Sequence, residues 1–176
     1  MIKKTLLFIA IAVAVILGYA TTKPDTFSVQ RHVSIAAPPQ KIAALINDFR
    51  QWPNWSPWEK LDPDMRRSYG GPASGQGASY AWQGDEKVGV GRMEILEAAD
   101  SGRTVIKLDF LKPYESHNTT TFELASEGEQ TRVSWTMTGP SPYVSKVMTV
   151  FVSMDRMIGK DFEKGLANLK TAAEQP

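Results

Sequence analysis

From Thr5 to Thr22 the chain carries no charge, and Leu6 to Leu17 is unbroken hydrophobe behind a short basic start at Lys3 and Lys4. Eighteen uncharged residues coiled as a helix reach about 27 Å, close to the roughly 30 Å hydrocarbon core of a bilayer. Residues 1–22 therefore read as an anchor or export signal that stands apart from the fold. An uncleaved transmembrane anchor is favoured. Gly18-Tyr19-Ala20 also offers a small-x-small site for removal of a signal after Ala20. A buried core helix fits worst, because a terminal position behind two lysines is a poor place for one. In either export reading the lysines stay cytoplasmic: an uncleaved chain is single-pass with its domain on the periplasmic or extracytoplasmic side, and a chain cleaved after Ala20 is secreted or periplasmic. Residues 23–26 form a linker.

Beyond the linker the pattern changes to alternation. Phe27, Val29, Arg31, Val33 and Ile35 share one face of a strand. Pro38-Pro39 opens a helix whose apolar stripe is Ile42, Leu45, Ile46 and Phe49. The stretch 50–58 (RQWPNWSPW) is punctuated by proline and predicts a short second helix or a structured loop. From Met65 onward strands recur: 65–69, 79–83, 90–96, 103–110, 116–124 and 131–138, separated by short polar turns. Such spacing predicts an antiparallel meander. Its inward set is Tyr80, Trp82, Met93, Ile95, Phe110, Phe122, Trp135 and Met137. Ser141-Pro142 then predicts a helix start, with one helix reaching Ala173 and burying Phe151, Ile158, Phe162, Leu166 and Leu169.

The predicted order is strand, two short helices, about six antiparallel strands and a long C-terminal helix. This is an α+β domain over residues 27–174, in which a curved sheet of six to seven strands wraps the helix. A gap between such a sheet and its helix is a natural place for a hydrophobic ligand.

Composition narrows the chemistry. The 176 residues include no Cys and two His, which disfavours thiol nucleophiles, disulfides and most metal sites; no metal, cofactor or catalytic residue is expected. The net charge of +1 owes two positive charges to Lys3 and Lys4, so the rest of the chain is at −1 and gives no electrostatic reason to bind nucleic acid. His32 and His117 fall in outward register on separate strands.

Several motifs resemble the helix-grip superfamily, also called SRPBCC, which includes START lipid-transfer domains, pollen-allergen-like proteins and polyketide cyclase/dehydrase proteins. They are Val33-Ser-Ile-Ala-Ala-Pro-Pro39, Asp48 with Trp52, Trp55 and Trp58, and Gly89-Val-Gly-Arg-Met93. Leu108-Asp-Phe-Leu-Lys-Pro113, Thr131-Arg-Val-Ser-Trp135 and Gly159-Lys-Asp-Phe-Glu-Lys-Gly165-Leu166 complete the set. The chain is most similar to bacterial polyketide cyclase/dehydrase-like members with an N-terminal apolar segment. The resemblance implies a hydrophobic cavity between sheet and C-terminal helix, and no fixed catalytic set.

Under that reading the candidate ligand-binding residues are Trp55 and Trp58 at the rim, with Tyr80, Trp82, Met93 and Phe110 on the wall. Asn118, Phe122, Trp135 and Met137 continue the wall, and Phe151, Met154 and Ile158 close it from the helix. Each has a plainer reading as core, and for the Trp52/Trp55/Trp58 cluster the core-capping reading carries more weight; Trp58 has the strongest functional claim. Ser116 and Thr120 also fall inward. Arg31 interrupts an apolar face, and a pairing with a nearby acid or solvent is favoured over a ligand contact. The segment 143–154 is apolar all round, and burial under the sheet competes with a membrane-facing portal.

The expected function is non-catalytic binding or transport of a hydrophobic small molecule or lipid, with the chain held at the membrane through residues 5–22. A cyclase- or aromatase-like enzyme is the alternative, with Arg31, Asn118 and Tyr80 as its available pieces. A structural or co-chaperone-like interaction domain is the third.

Overall fold

The computed structural model describes residues 2–175. Helix α1 (Ile2–Thr21) is followed by strand β1 (Thr26–Ile35) and helix α2 (Pro39–Asn47), then by two 3-10 turns at Phe49–Asn54 and Pro57–Lys60. Six strands come next: β2 (Arg66–Gly70), β3 (Ser79–Gln83), β4 (Val90–Ala98), β5 (Arg103–Lys112), β6 (Ser116–Glu127) and β7 (Gln130–Pro140). Helices α3 (Tyr143–Met148) and α4 (Met154–Ala173) close the chain. The strands form one antiparallel sheet in the order β1-β7-β6-β5-β4-β3-β2, so the meander from β2 to β7 is completed by β1 on its last edge. This is the α+β helix-grip arrangement expected, with α4 packed against the sheet at β1.

Local chemistry accounts for the first turns. Pro39 begins α2, where its missing N–H costs nothing, and Ile42, Ala43 and Ile46 face the core. Asp48 ends α2 in an extended conformation, and its side chain accepts from the Arg50 amide at 2.8 Å to start the first 3-10 turn. Helix ends leave carbonyls without partners. Here the indoles of Trp52 and Trp55 supply them, donating to the Ile46 carbonyl at 2.9 Å and the Leu45 carbonyl at 3.1 Å.

Trp135, on β7, joins sheet to helix. Its ring lies between Phe162 of α4, at 4.1 Å and 12°, and Phe122 of β6, at 4.9 Å and 28°. Trp55 and Trp58 meet it edge-on at 5.7 and 5.8 Å. Gly165 makes the approach possible: a Cβ there would sit 2.7 Å from Trp135 Cζ3 and 3.2 Å from Pro57 Cδ. Gly159 does the same for Arg31, whose guanidinium would lie 2.3 Å from a Cβ at that position. Both helical glycines are close-packing points.

The C-terminal region departs from the single helix expected. The chain breaks at 149–153, where β-branched Thr149, Val150 and Val152 disfavour helix. Ser153 then caps α4, accepting from the Arg156 amide at 3.3 Å. Ser141 caps nothing; its amide donates to the Asp25 carbonyl at 2.7 Å. Phe151, placed on the buried stripe by its spacing, is 66% exposed, because the break takes it off the face that α4 turns to the sheet. No residue of α3 is buried, so the reading that hides segment 143–154 beneath the sheet is also corrected.

Arg31 pairs as favoured, but with acids distant in sequence: Asp155 at 2.7 Å and Glu163 at 2.7 Å, both on α4. The outer face of the sheet carries a second cluster. Asp109 is 1% exposed and meets His117 Nδ1 at 2.8 Å, Arg92 Nε at 2.9 Å and Lys107 Nζ at 3.1 Å. Burial alone would raise its pKa; the hydrogen bonds from His117, Arg92 and Lys107 outweigh it and hold the carboxyl down at about 2.

Two outcomes follow. Gly165→Val forces Trp135 out of its stack and should lower stability by about 1–3 kcal/mol, read from the chemical-denaturation midpoint; an unchanged midpoint would contradict this packing. A carboxylate depressed in the folded state stabilises it above its unfolded pKa of about 3.9, and that stabilisation disappears as pH falls through the folded value. Asp109→Asn should therefore flatten the fall in stability between about pH 4 and pH 2, and a fall as steep as in the parent would contradict it.

Candidate functional site

A cavity of about 380 Å³ lies between the sheet and the first turns of α4. Ligand sites run from roughly 300 to 1,000 Å³, so this space is at the smaller end. Its sheet wall comes from Tyr80 and Trp82 on β3, Met93 on β4, Leu108 and Phe110 on β5, and Met137 on β7. Alternation within each strand puts these side chains on one face, as the inward set predicted. The helix wall comes from Met154, Ile158 and Phe162 on α4, with Trp58 beside them. The half-buried liners Trp58, Val88, Phe110, Ser116, Met154 and Ile158, with exposed Lys87, mark the mouth.

The structure brings together ten of the residues singled out from sequence: Trp58, Tyr80, Trp82, Met93, Phe110, Asn118, Trp135, Met137, Met154 and Ile158. Three it does not. Trp55 is 1% exposed and sits behind the wall between Trp52 and Trp135. Phe122 lies fully buried beneath Trp135. Phe151 is on the outer surface. Inward register cannot separate a residue that lines a void from one that fills the space behind it, which is the case of Phe122; Trp55, read as a rim residue of the 50–58 segment, instead turns inward to pack. Of the tryptophan cluster, Trp55 packs, Trp58 faces the cavity, and Trp52 does both.

Two polar groups interrupt the apolar lining. Asn118 Nδ2 donates to Ser116 Oγ at 3.0 Å, and Thr120 lies two residues further along β6. Ser116 sits at the mouth, where β6 begins, and the buried Asn118 lies two residues further in. The second group was not read from sequence. Glu59, 7% exposed in the turn at Pro57–Lys60, accepts from the Tyr80 hydroxyl at 2.6 Å and from Arg67 Nε at 2.7 Å. Burial, and then the hydrogen bond to Glu59, push the Tyr80 phenol well above its ordinary range, so it remains a donor. Arg67 also donates to the Glu59 backbone carbonyl at 2.8 Å, which fixes the turn against β2. Glu59 carries a weak sequence signal, an acid directly behind the three tryptophans and two prolines of 50–58, a segment otherwise built for burial.

These groups do not assemble the pieces offered for an enzyme. Arg31 lies off the cavity wall, committed to Asp155 and Glu163. Asn118 bonds to Ser116, and Tyr80 bonds to Glu59. Among the described residues no group of three or more His, Asp or Glu is placed to hold a metal ion.

Solved structures share this architecture. Protein CV1439 from Chromobacterium violaceum superposes with a TM-score of 0.59 at 14% identity, covering 88% of this chain and 100% of its own. TTHA0849 from Thermus thermophilus gives 0.58 at 19% identity, covering 84% and 97%. The di-domain ARO/CYC BexL, from the BE-7585A biosynthetic pathway, gives 0.63 at 18% identity over 91% of this chain and 54% of its own, so the chain spans about half of it. At such identities the likeness is one of fold. No curated protein matches the chain. A family model described as polyketide cyclase / dehydrase and lipid transport matches residues 26–174, the whole of the domain from β1 to the end of α4. With sheet, helix and cavity all in the matched region, the chain belongs to the polyketide cyclase/dehydrase and lipid transport family.

Proposed function

We propose that the protein binds a hydrophobic small molecule or lipid non-covalently in the cavity between sheet and α4, while α1 holds it to a membrane with the domain on the extracytoplasmic side. The observation that carries this reading is the lining. Aromatic and methionine side chains surround the space, and its two polar pairs, Asn118 with Ser116 and Tyr80 with Glu59, are each bonded within themselves. Methionine suits a wall that must adapt to a flexible guest. A guest burying ~300 Å² of apolar surface would gain ~7 kcal/mol at about 25 cal/mol per Å², before the costs of association.

Ser116 at the mouth, with Asn118 just inside it, suits a polar head, with the acyl or ring portion deeper. Helix α1 supports the membrane part, being 20 residues of high mean hydropathy and almost entirely exposed.

A cyclase-like reading has one observation in its favour, the Glu59–Tyr80 pair on the cavity wall. Against it, the carboxylate is committed on both oxygens, one to the Tyr80 hydroxyl and the other to Arg67.

The test uses the full chain held in amphipol. Small molecules that copurify are extracted for mass spectrometry, and binding of cis-parinaric acid is titrated. The expected result is an extractable apolar compound and saturable binding. Met137→Trp, which fills the cavity, should weaken the probe at least tenfold while secondary structure is retained. An empty protein, or equal affinity in the filled variant, would overturn the reading.

A further inference from the structure

The strand register defines one end of the domain. Thr26 of β1 pairs with Pro140 of β7, Val90 of β4 with Lys112 of β5, and Phe110 with Ser116 across the β5–β6 turn. The tether from α1 enters at this end, and the cavity mouth lies at it. So does a concentration of exposed apolar side chains: Val144, at 72%, with Met148, Phe151, Val152 and Met157 around it. Leu111 and Tyr114, at the β5–β6 turn, are exposed on the same end. Tyr69 and Leu96 lie toward the other. Solvating so many large apolar groups in one region is costly enough to mark a contact surface.

The tether says what the contact is. Only residues 22–25 separate α1 from β1, a reach of ~14 Å at full extension. They are not extended: the amides of Thr22 and Lys23 still bond to the carbonyls of Tyr19 and Ala20. Asp25 is held twice, by the Ser141 amide and by Lys146 Nζ at 2.5 Å. The depth is set by one further bond. The Tyr143 hydroxyl donates to the Leu17 carbonyl at 3.0 Å, so α3 packs on the last turn of α1. Leu17 lies four residues before the helix end, ~6 Å along its axis. A helix of 20 residues is ~30 Å long and has no length to spare in crossing a bilayer. A contact at Leu17 therefore brings α3 to the level where acyl chains meet headgroups. Tyr19 and Tyr143 fall at the depth where aromatic residues favour the interface.

We propose that α3 and segment 149–153 are a bilayer-docking surface, seated in the leaflet that the end of α1 occupies, so that the cavity mouth between α4 and the β5–β6 turn faces lipid rather than water. The docking follows from α1 as a retained span. That the mouth loads from the leaflet rests in addition on the proposed reading of the cavity. Charge is mixed at this end, with Lys112, Arg156 and Lys160 beside Glu86 and Glu115, so the attraction is apolar and largely independent of salt.

The chain has no Cys, so a single introduced one takes a label uniquely. The full chain is reconstituted in phosphatidylcholine vesicles as Val144→Cys, Phe151→Cys or, at the far β6–β7 turn, Ser126→Cys, each carrying an environment-sensitive nitrobenzoxadiazole label. Expected is a blue-shifted emission at 144 and 151 that is quenched by doxyl groups high on the acyl chain and spared by aqueous iodide. The label at 126 should be quenched by iodide alone, and the pattern should persist in high salt. Iodide quenching at 144 and 151 equal to that at 126 would overturn the proposal. So would labels at 144 and 151 shielded from both quenchers, which would mean that a second copy of the chain covers the face. Probe binding is measured separately on the amphipol-held protein. Lipid-quenched labels with no probe binding would leave the docking standing and remove the ligand reading; probe binding with water-exposed labels would do the reverse.

Discussion

The stack of Trp135 between Phe122 and Phe162 is the contact on which the rest of the architecture depends. It is where α4 meets the sheet, and among the described residues no other ring stacks on helix and strand with its two faces at once. Its indole N–H is a buried donor with no partner among the described residues, a loss the ring contacts must exceed. Gly165 sets how near the helix approaches, and the Arg31 bridge to Asp155 and Glu163, laid over Gly159, pins the same helix against β1. From Phe162 toward its N-terminus, α4 borders an unfilled space through Ile158 and Met154. The space that opens there is the cavity.

The cavity is thus a consequence of how the core is anchored on one side only. Below the stack, Trp52, Trp55, Phe49 and Ile46 fill the interior, held to α2 by two indole hydrogen bonds. Above it, Met93, Met137, Met154 and Ile158 border a void. The same break at 149–153 that starts α4 late leaves α3 outside the core, against α1. Cavity mouth, apolar surface and membrane helix then come to one end of the molecule through a linker too short to place them elsewhere.

Much of this was legible in the sequence because it rests on period. Alternation in β1 and β3 to β7 located the strands and their inward faces, and the stripe Ile42, Leu45, Ile46 located α2. What period could not give was the third dimension. Phe122 and Trp135 share an inward register and pair across β6 and β7, yet only Trp135 touches the void, because depth depends on what the helix covers. The helix break was visible in composition, as Thr149, Val150 and Val152 close together, but apolar periodicity on both sides masked it. Glu59 escaped because its partners, Arg67 and Tyr80, lie on two later strands and no local spacing links them. Arg31 reads as pairing with a nearby acid or with solvent, and its acids lie on α4, more than a hundred residues away in sequence.

Five tryptophans, distributed between the cavity wall and the packed core, make the central claim directly measurable. Incorporation of 5-fluorotryptophan into the full chain gives one fluorine resonance for each, assigned by single Trp→Phe replacements. On titration with cis-parinaric acid, the account predicts that the resonances of Trp58 and Trp82 move while that of Trp55, sealed behind the stack, stays in place. Five resonances that all stay still, or that move together, would contradict a guest held between the sheet and α4.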